Sequence, residues 1–180
     1  MSRRQVWWMA AAIASIAFVA GVSFALRHFS TAPAGASAAA FFERTFNDLD
    51  GRPAEMMQWK DRIIVLNFWA TWCPPCVEEM PDLQRVYDDY KERGVVVVGL
   101  GIDNPSALKR FRDEYLLSLP LFAAGASGND LGRALGNASG ALPYTVLVDR
   151  KGRIVQARLG QIRPAELRRW LDAQIGAASR

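Results

Sequence analysis

The fold of this 180-residue chain is decided by residues 67–76, which have the sequence NFWATWCPPC. A nearly continuous apolar run from Ile63 to Ala70 leads into this stretch and predicts a strand that is covered on both faces of a sheet. From Val77 to Arg93 the apolar residues recur at helical spacing, and Gly94 predicts the end of that helix. Both cysteines of the chain therefore lie where a buried strand passes into a helix.

The remainder of the body also alternates strands and helices. A second buried strand is predicted from Val95 to Leu100, and a third from Tyr144 to Val148. Other signals mark a hairpin turn at Asp50-Gly51, a helix start at Asn104-Pro105, a turn at Lys151-Gly152 into a strand from Ile154 to Arg158, and a final helix from Pro164. This order predicts an α/β fold with a central mixed sheet flanked by helices.

Cys73 and Cys76 are the candidate reactive groups. Unpaired backbone N–H groups and the macrodipole favour an anion at a helix N-terminus, so a thiolate, the reactive form of cysteine, is stabilised there. Pro74 and Pro75 suit a first helical turn and stiffen the ring, which predicts a pair that cycles between dithiol and disulfide. Cys73 precedes the helix body and is the predicted exposed nucleophile, and Cys76 is the predicted resolving thiol. Trp72 is expected to form a partly exposed wall beside Cys73.

Composition and spacing argue against other roles for the cysteines and against nucleic-acid binding. A structural disulfide is disfavoured because so short a loop removes little chain entropy, and a zinc site is disfavoured because the chain adds only His28 to its two cysteines. We predict no metal and no cofactor. The first 40 residues hold three of the 22 lysines and arginines and none of the 18 acids, so the body is nearly neutral. This balance argues against nucleic acid as a partner.

The N-terminus contains a candidate membrane segment. Gln5 to Leu26 is a run of 22 residues without a charge, and about 20 apolar residues span a bilayer as a helix. Its length favours a retained anchor over a cleaved signal peptide, whose apolar core is about 7–15 residues. Small residues between Ala32 and Ala38 leave cleavage open as the alternative. Either segment predicts export of the body into an oxidising compartment.

Three segments follow from these observations. Residues 1–29 are the predicted anchor, or an uncleaved signal. Residues 30–40 are rich in Ala, Ser and Gly and carry no charge, which predicts a flexible linker. Residues 41–180 form the predicted folded domain.

Further motifs support a family resemblance. The stretch 67–76, followed by Glu79-Met80-Pro81, and Leu142-Pro143 ahead of the third strand, resemble the TlpA/ResA-like branch of the thioredoxin superfamily. The resemblance covers Phe41 to Ile175. It implies a thioredoxin-like fold with an N-terminal β-hairpin and a central insertion at about residues 103–136. It also implies a membrane-anchored or periplasmic thiol-disulfide oxidoreductase with a Cys73–Cys76 disulfide.

The resemblance assigns further site residues. Pro143 is expected to be cis and to face the cysteines, and Leu142 is expected to offer its backbone to an extended substrate. Thioredoxin has a buried acid six residues before the first cysteine, where this chain has Asn67, and the resemblance places the substitute acid at Glu79. A helical wheel supports Glu79 over Glu78, because Glu79 lies at the edge of the apolar face. Its partial burial predicts a raised pKa.

The predicted reaction is reduction of protein disulfides by dithiol-disulfide exchange. The expected partners are disulfide-containing proteins and a membrane electron donor that restores the dithiol. The expected location is the bacterial inner membrane, as a single-pass protein with its domain in the periplasm, or the soluble periplasm after cleavage. Alternatives are a dedicated reductase of apocytochrome c cysteines, a copper-site or copper-chaperone thiol reductase, a copper-binding protein, and a tethered binding module whose disulfide never turns over.

Overall fold

The computed structural model describes residues 35–178. The predicted anchor, residues 1–29, and the first part of the predicted linker lie outside these residues. Within the described part of the chain, no helix is long and apolar enough to span a bilayer.

A seven-stranded mixed sheet forms the centre of the domain. Its strands are β1 (Thr45–Asp48), β2 (Pro53–Glu55), β3 (Ile63–Trp69), β4 (Val95–Gly101), β5 (Leu121–Ala123), β6 (Tyr144–Val148) and β7 (Ile154–Leu159). They lie in the order β2-β1-β5-β4-β3-β6-β7. Strand β3 is parallel to β4 and antiparallel to β6, and all seven of its residues are buried. The predicted central strand is therefore confirmed.

Helices cover both faces of the sheet. They are α1 (Ala39–Phe42), α2 (Pro74–Tyr90), α3 (Pro105–Glu114), α4 (Gly125–Ala134) and α5 (Pro164–Ala178), with short 3-10 helices at Met56–Trp59 and Lys91–Arg93. Apolar side chains of α2, α3 and α5 pack together on one face, and those of α1 and α4 on the other. Gly94 follows α2 and its 3-10 extension with a φ of 82°, the left-handed conformation that glycine adopts freely. This confirms the predicted end of the helix.

The predicted hairpin and helix cap are both present. Strands β1 and β2 pair antiparallel around the Asp50-Gly51 turn. Asn104 caps α3, because its Oδ1 accepts a hydrogen bond of 2.8 Å from the N–H of Ser106. The predicted insertion, residues 103–136, contains α3, β5 and α4, and β5 joins the sheet between β4 and β1.

The folded domain begins ahead of the predicted boundary at Phe41. The N–H of Gly35 donates to the carbonyl of Ile154 and the N–H of Ala38 to that of Gly152, both at 2.8 Å. Ala38 is fully buried. The described part of the predicted linker, residues 35–40, therefore packs on the β6–β7 turn. The small side chains of this segment permit close packing. The same composition is typical of flexible linkers, so composition alone does not distinguish the two.

Candidate active site

Strand β3 and helix α2 together position the cysteines. The buried strand ends at Trp69, a turn follows, and Cys73 occupies the N-cap of α2 with an extended backbone. Pro74 and Pro75 are the first two helical residues, where a missing N–H removes no helical hydrogen bond. Cys76 lies in the first turn, and its sulfur forms a disulfide with that of Cys73 across a Cα–Cα distance of 5.3 Å.

The two sulfurs differ little in exposure. Cys73 is 5% exposed and Cys76 is fully buried, so Cys73 is the more accessible, although far less open than the sequence predicts. Trp72 is 65% exposed, which agrees with a wall beside Cys73, whereas Trp69 is buried in the core. Pro74 is exposed and Pro75 is half-buried. Of the two cysteines, only Cys73 therefore retains exposed surface.

The prediction that unpaired backbone N–H groups stabilise the Cys73 thiolate is wrong for the first turn of α2. Pro74 and Pro75 have no N–H, and the N–H groups of Cys76 and Val77 both donate to the carbonyl of Cys73, at 3.0 and 3.1 Å. The backbone donors of the first turn are thus absent or occupied. Stabilisation of a thiolate at Cys73 must come mainly from the dipole of α2 rather than from unpaired N–H groups.

The Leu142–Pro143 peptide bond is cis, as expected. Tyr144, the first residue of β6, pairs with Phe68 near the carboxyl end of β3. Pro143 therefore lies at the same end of these strands as the start of α2. The Pro143 carbonyl accepts a hydrogen bond of 2.8 Å from the N–H of Gly160. Within residues 35–178, the backbone N–H and C=O of half-buried Leu142 make no hydrogen bond.

Glu79 is the buried acid of the site. It is 0% exposed, Oε1 accepts a hydrogen bond of 2.8 Å from Asn67 Nδ2, and Oε2 accepts one of 2.9 Å from the N–H of Ile162. Burial raises the pKa of Glu79 to about 7, while the hydrogen bonds from Ile162 and Asn67 oppose the rise. Glu78 is exposed. Glu79 is therefore more deeply buried than the sequence predicts, and the direction of its pKa shift agrees with the prediction.

Several residues around the cysteines carry no signal in the sequence. Thr145 lies opposite Asn67 on β6, and its Oγ1 is 3.1 Å from Asn67 Nδ2. Ile162 reaches Glu79 through its backbone, which any residue type provides. Thr71, in the turn before Cys73, donates its N–H and its hydroxyl to Asp103 at the end of β4.

The site offers little to a metal ion. Among residues 35–178, no group of three or more His, Cys, Asp or Glu side chains is placed to hold one. What the arrangement can do is exchange a disulfide for a dithiol at Cys73 and Cys76, with one buried acid of near-neutral pKa on the next turn of the same helix.

Comparison with known proteins agrees with this chemistry. Residues 30–171 match the model of the Redoxin family. The thiol-disulfide oxidoreductase ResA of Halalkalibacterium halodurans is 35% identical over 167 residues, which cover 89% of this chain and 90% of that protein. ResA of Bacillus thuringiensis strain Al Hakam is also 35% identical, over 69% of this chain and 70% of its own.

Solved structures agree on the fold. The thiol:disulfide interchange protein of the thioredoxin family from Chlorobium tepidum TLS superposes with a TM-score of 0.67 at 23% identity. The alignment covers 81% of this chain and 97% of that one. MTB DsbF, solved in mixed oxidised and reduced forms, gives a TM-score of 0.65 at 25% identity, over 75% of this chain and 97% of that one. The expected thioredoxin-like fold is confirmed.

Proposed function

Because the chain belongs to the redoxin family and is a ResA-like thiol-disulfide oxidoreductase, we propose that it is a membrane-anchored periplasmic reductase of protein disulfides. The observation that carries this proposal is the Cys73–Cys76 disulfide at the start of α2, in which Cys73 retains a small exposed fraction and Cys76 retains none. Exchange must therefore begin at Cys73, and Cys76 must act on the intermediate.

The proposed reaction transfers two electrons and two protons to the substrate. The Cys73 thiolate attacks one sulfur of a substrate disulfide, forming a mixed disulfide and releasing the other sulfur as a thiolate that takes up a proton. Cys76 then loses its proton and attacks the sulfur of Cys73. The second substrate thiol leaves, and the Cys73–Cys76 disulfide forms. A membrane dithiol donor reduces it again.

Glu79 is the proposed proton acceptor and donor for Cys76. It lies three residues after Cys76 on α2, so both side chains are on one side of the helix. Its pKa of about 7 lets the carboxyl group take up or release a proton near neutral pH. Cys76 is fully buried, and a proton taken from a buried thiol needs an acceptor within the protein.

The proposed substrate contact surface surrounds Cys73. The open backbone of Leu142 would bind an extended segment beside the substrate disulfide in the manner of an added strand, with Pro143 below it. Exposed Trp72 would pack on the same segment, and the neighbouring Pro74 and Pro75 would complete the surface. This surface suits a protein substrate whose disulfide lies in an extended, accessible segment.

The proposed location rests on the sequence. The uncharged run from Gln5 to Leu26 has the length of a single membrane span, and an anchored domain has a raised effective concentration toward membrane-bound donors. Cleavage after this run would instead give a soluble periplasmic protein. Fractionation of the full chain, with the mass of the mature N-terminus, distinguishes the two outcomes.

Trapping tests the proposed reaction and names the substrate. A Cys76→Ala variant should accumulate mixed disulfides through Cys73, which mass spectrometry identifies. Cys73→Ala is the matched control and should trap nothing. Apocytochrome c or copper-site proteins among the trapped partners would identify a dedicated reductase. Equal recovery of partners by the two variants, or insulin reduction by the Cys73→Ser protein at the wild-type rate, would overturn the proposal.

A further inference from the structure

Within residues 35–178, two buried polar atoms beside the site have no hydrogen-bond partner. They are the carbonyl oxygen Oδ1 of Asn67 and the indole nitrogen Nε1 of Trp69, and both residues are fully buried. One is an acceptor and the other is a donor. A buried polar group without a partner costs about 1–3 kcal/mol, so two complementary ones in one place need an explanation.

The side chains that carry these two atoms lie on one face of the sheet, over the same pair of strands. Asn67 and Trp69 are two residues apart on β3, so their side chains project from the same face of the sheet. Gly99 on β4 is the cross-strand partner of Asn67. A Cβ atom on Gly99 would lie 3.1 Å from Trp69 Nε1, so the indole nitrogen rests over Gly99. Adjacent strands are about 4.8 Å apart, so the indole N–H lies about one strand spacing from the backbone of Asn67, on the face that carries the Asn67 side chain.

We propose that the indole N–H of Trp69 donates to Asn67 Oδ1 after a small side-chain rotation, and that this bond fixes the direction in which the Asn67 amide faces Glu79. Trp69 and Asn67 are then positioning residues for the proton exchange of Glu79. This inference rests on the role proposed above for Glu79.

The direction of the amide matters because its two ends act oppositely on a carboxyl group. With Nδ2 toward Glu79, as observed, the amide donates to Oε1 and favours the ionised form. With Oδ1 toward Glu79, it would repel the ionised form and accept from the protonated one. The Thr145 hydroxyl both donates and accepts, so it does not select either direction.

Other groups that act on Glu79 are independent of this amide. Arg158 on β7 lowers its pKa, Asp82 on α2 raises it, and the N–H of Ile162 donates to Oε2. The Cys76 thiol of the reduced protein lies on the same helix as Glu79. Because Trp69 supplies no charge, removing its N–H isolates the effect of amide direction.

Substitution in the full-length protein tests the proposal. Trp69→Phe deletes the N–H and should move the pH midpoint of disulfide exchange upward by about one to two units, the size of one hydrogen bond to a charged group. Asn67→Leu should move it in the same direction. Trp59→Phe is the matched control, because Trp59 packs on the opposite face of the sheet, and it should leave the midpoint unchanged.

The double variant Asn67→Leu/Trp69→Phe tests whether the indole acts through the amide. Trp69→Phe should add no shift to the Asn67→Leu protein, because the indole acts only through the amide. An equal shift in both backgrounds would overturn the proposal. Glu79→Gln should remove the step that Glu79 contributes to the pH profile and leave the step that follows ionisation of the Cys73 thiol. If it does not, the proposed role of Glu79 fails, and the exchange profile no longer reports on the amide.

NMR of the wild-type protein tests the proposal without relying on activity or on the folding of variants. The ¹H–¹⁵N signal of the Trp69 indole should be protected from solvent exchange and should titrate with Glu79, through Asn67. This titration should vanish in Glu79→Gln. An indole signal that is insensitive to pH between 5 and 9 in the wild-type protein, while the Glu79 carboxyl titrates, would overturn the proposal.

Discussion

Thr71 donates two hydrogen bonds to Oδ2 of Asp103, one from its N–H at 3.0 Å and one from its hydroxyl. The bonds connect the turn that carries Cys73 to the end of β4. Burial acts to raise the pKa of Asp103, but hydrogen bonds from Thr71 and from the N–H of Asn104 outweigh it and hold the pKa below its usual range. The carboxylate therefore stays ionised, and the connection stays closed, at neutral pH.

Removing this connection should slow exchange. Asp103→Ala should lower kcat/KM for a protein disulfide by about 10- to 100-fold, because small misplacements of a reacting group have large kinetic effects. Denaturant unfolding should show a loss of about 1–3 kcal/mol from the unpaired donors. Thr71→Val removes only the hydroxyl and should have a smaller effect on both measurements. A fully active Asp103→Ala protein would show that the turn holds Cys73 without this carboxylate.

The raised pKa of Glu79 predicts a pH-dependent stability. Its pKa is about 7 in the folded protein and 4.5 in the reference state, so the folded protein binds this proton more tightly. The resulting stabilisation is complete below pH 4.5 and is lost as the pH rises through 7. It amounts to about 3 kcal/mol in total. Urea unfolding of the oxidised protein between pH 5 and 8.5 should show most of this decline.

Glu79→Gln provides the matched control for that decline. Glutamine is neutral throughout, so the variant should lose the pH-dependent step. Glu78→Gln should retain the step, because Glu78 is exposed. Parallel pH profiles for wild type and Glu79→Gln would mean that Glu79 has an ordinary pKa.

Exposed Trp72 should matter only for large substrates. Trp72→Ala removes an exposed aromatic surface next to Cys73, and we expect KM for a protein disulfide to rise about fivefold, which corresponds to about 1 kcal/mol. The rate with oxidised glutathione should stay near that of the wild type. A parallel loss with both substrates would indicate that Trp72 acts on the reactivity of the cysteines instead.

Gly101 at the end of β4 should not tolerate a side chain. A Cβ there would lie 2.4 Å from Cδ1 and 2.6 Å from Cδ2 of Leu108, which is fully buried. Gly101→Ala should therefore destabilise the protein by about 1–3 kcal/mol in thermal or urea unfolding. Gly176 on α5 has open space around its Cα, and Gly176→Ala should be neutral or stabilising by up to about 1 kcal/mol.

The features that can be predicted from the sequence are those that depend on local patterns of residues. Runs such as Ile63–Ala70, the Asn104 cap and the Gly94 end are visible because periodicity and backbone preference act over few residues. The cysteine pair is visible because its spacing and position have chemical meaning. The family resemblance adds Pro143, which no local pattern marks, and Glu79, for which the helical wheel gives supporting evidence.

Contacts between distant segments are not visible in this way. Ile162 reaches Glu79 across 83 positions through its backbone, which leaves no signature in residue type. Asp103 meets Thr71 only because β3 and β4 end side by side. The burial of Ala38 follows from packing on the β6–β7 turn, whereas its surroundings in the sequence resemble a linker. The two prolines predict a stiff first turn, but the occupied N–H groups of Cys76 and Val77 emerge only from the three-dimensional path of the chain.

The position of β5 determines when the β1–β2 hairpin can pair with the rest of the sheet during synthesis. This strand has three residues, yet it is what joins the β1–β2 hairpin to β4. Strand β1 can therefore pair with β5 only after residues 121–123 have been synthesised. On a ribosome the first-made hairpin must wait for a much later portion of the chain, so the cysteine-bearing strand and helix can assemble before the segment that precedes them.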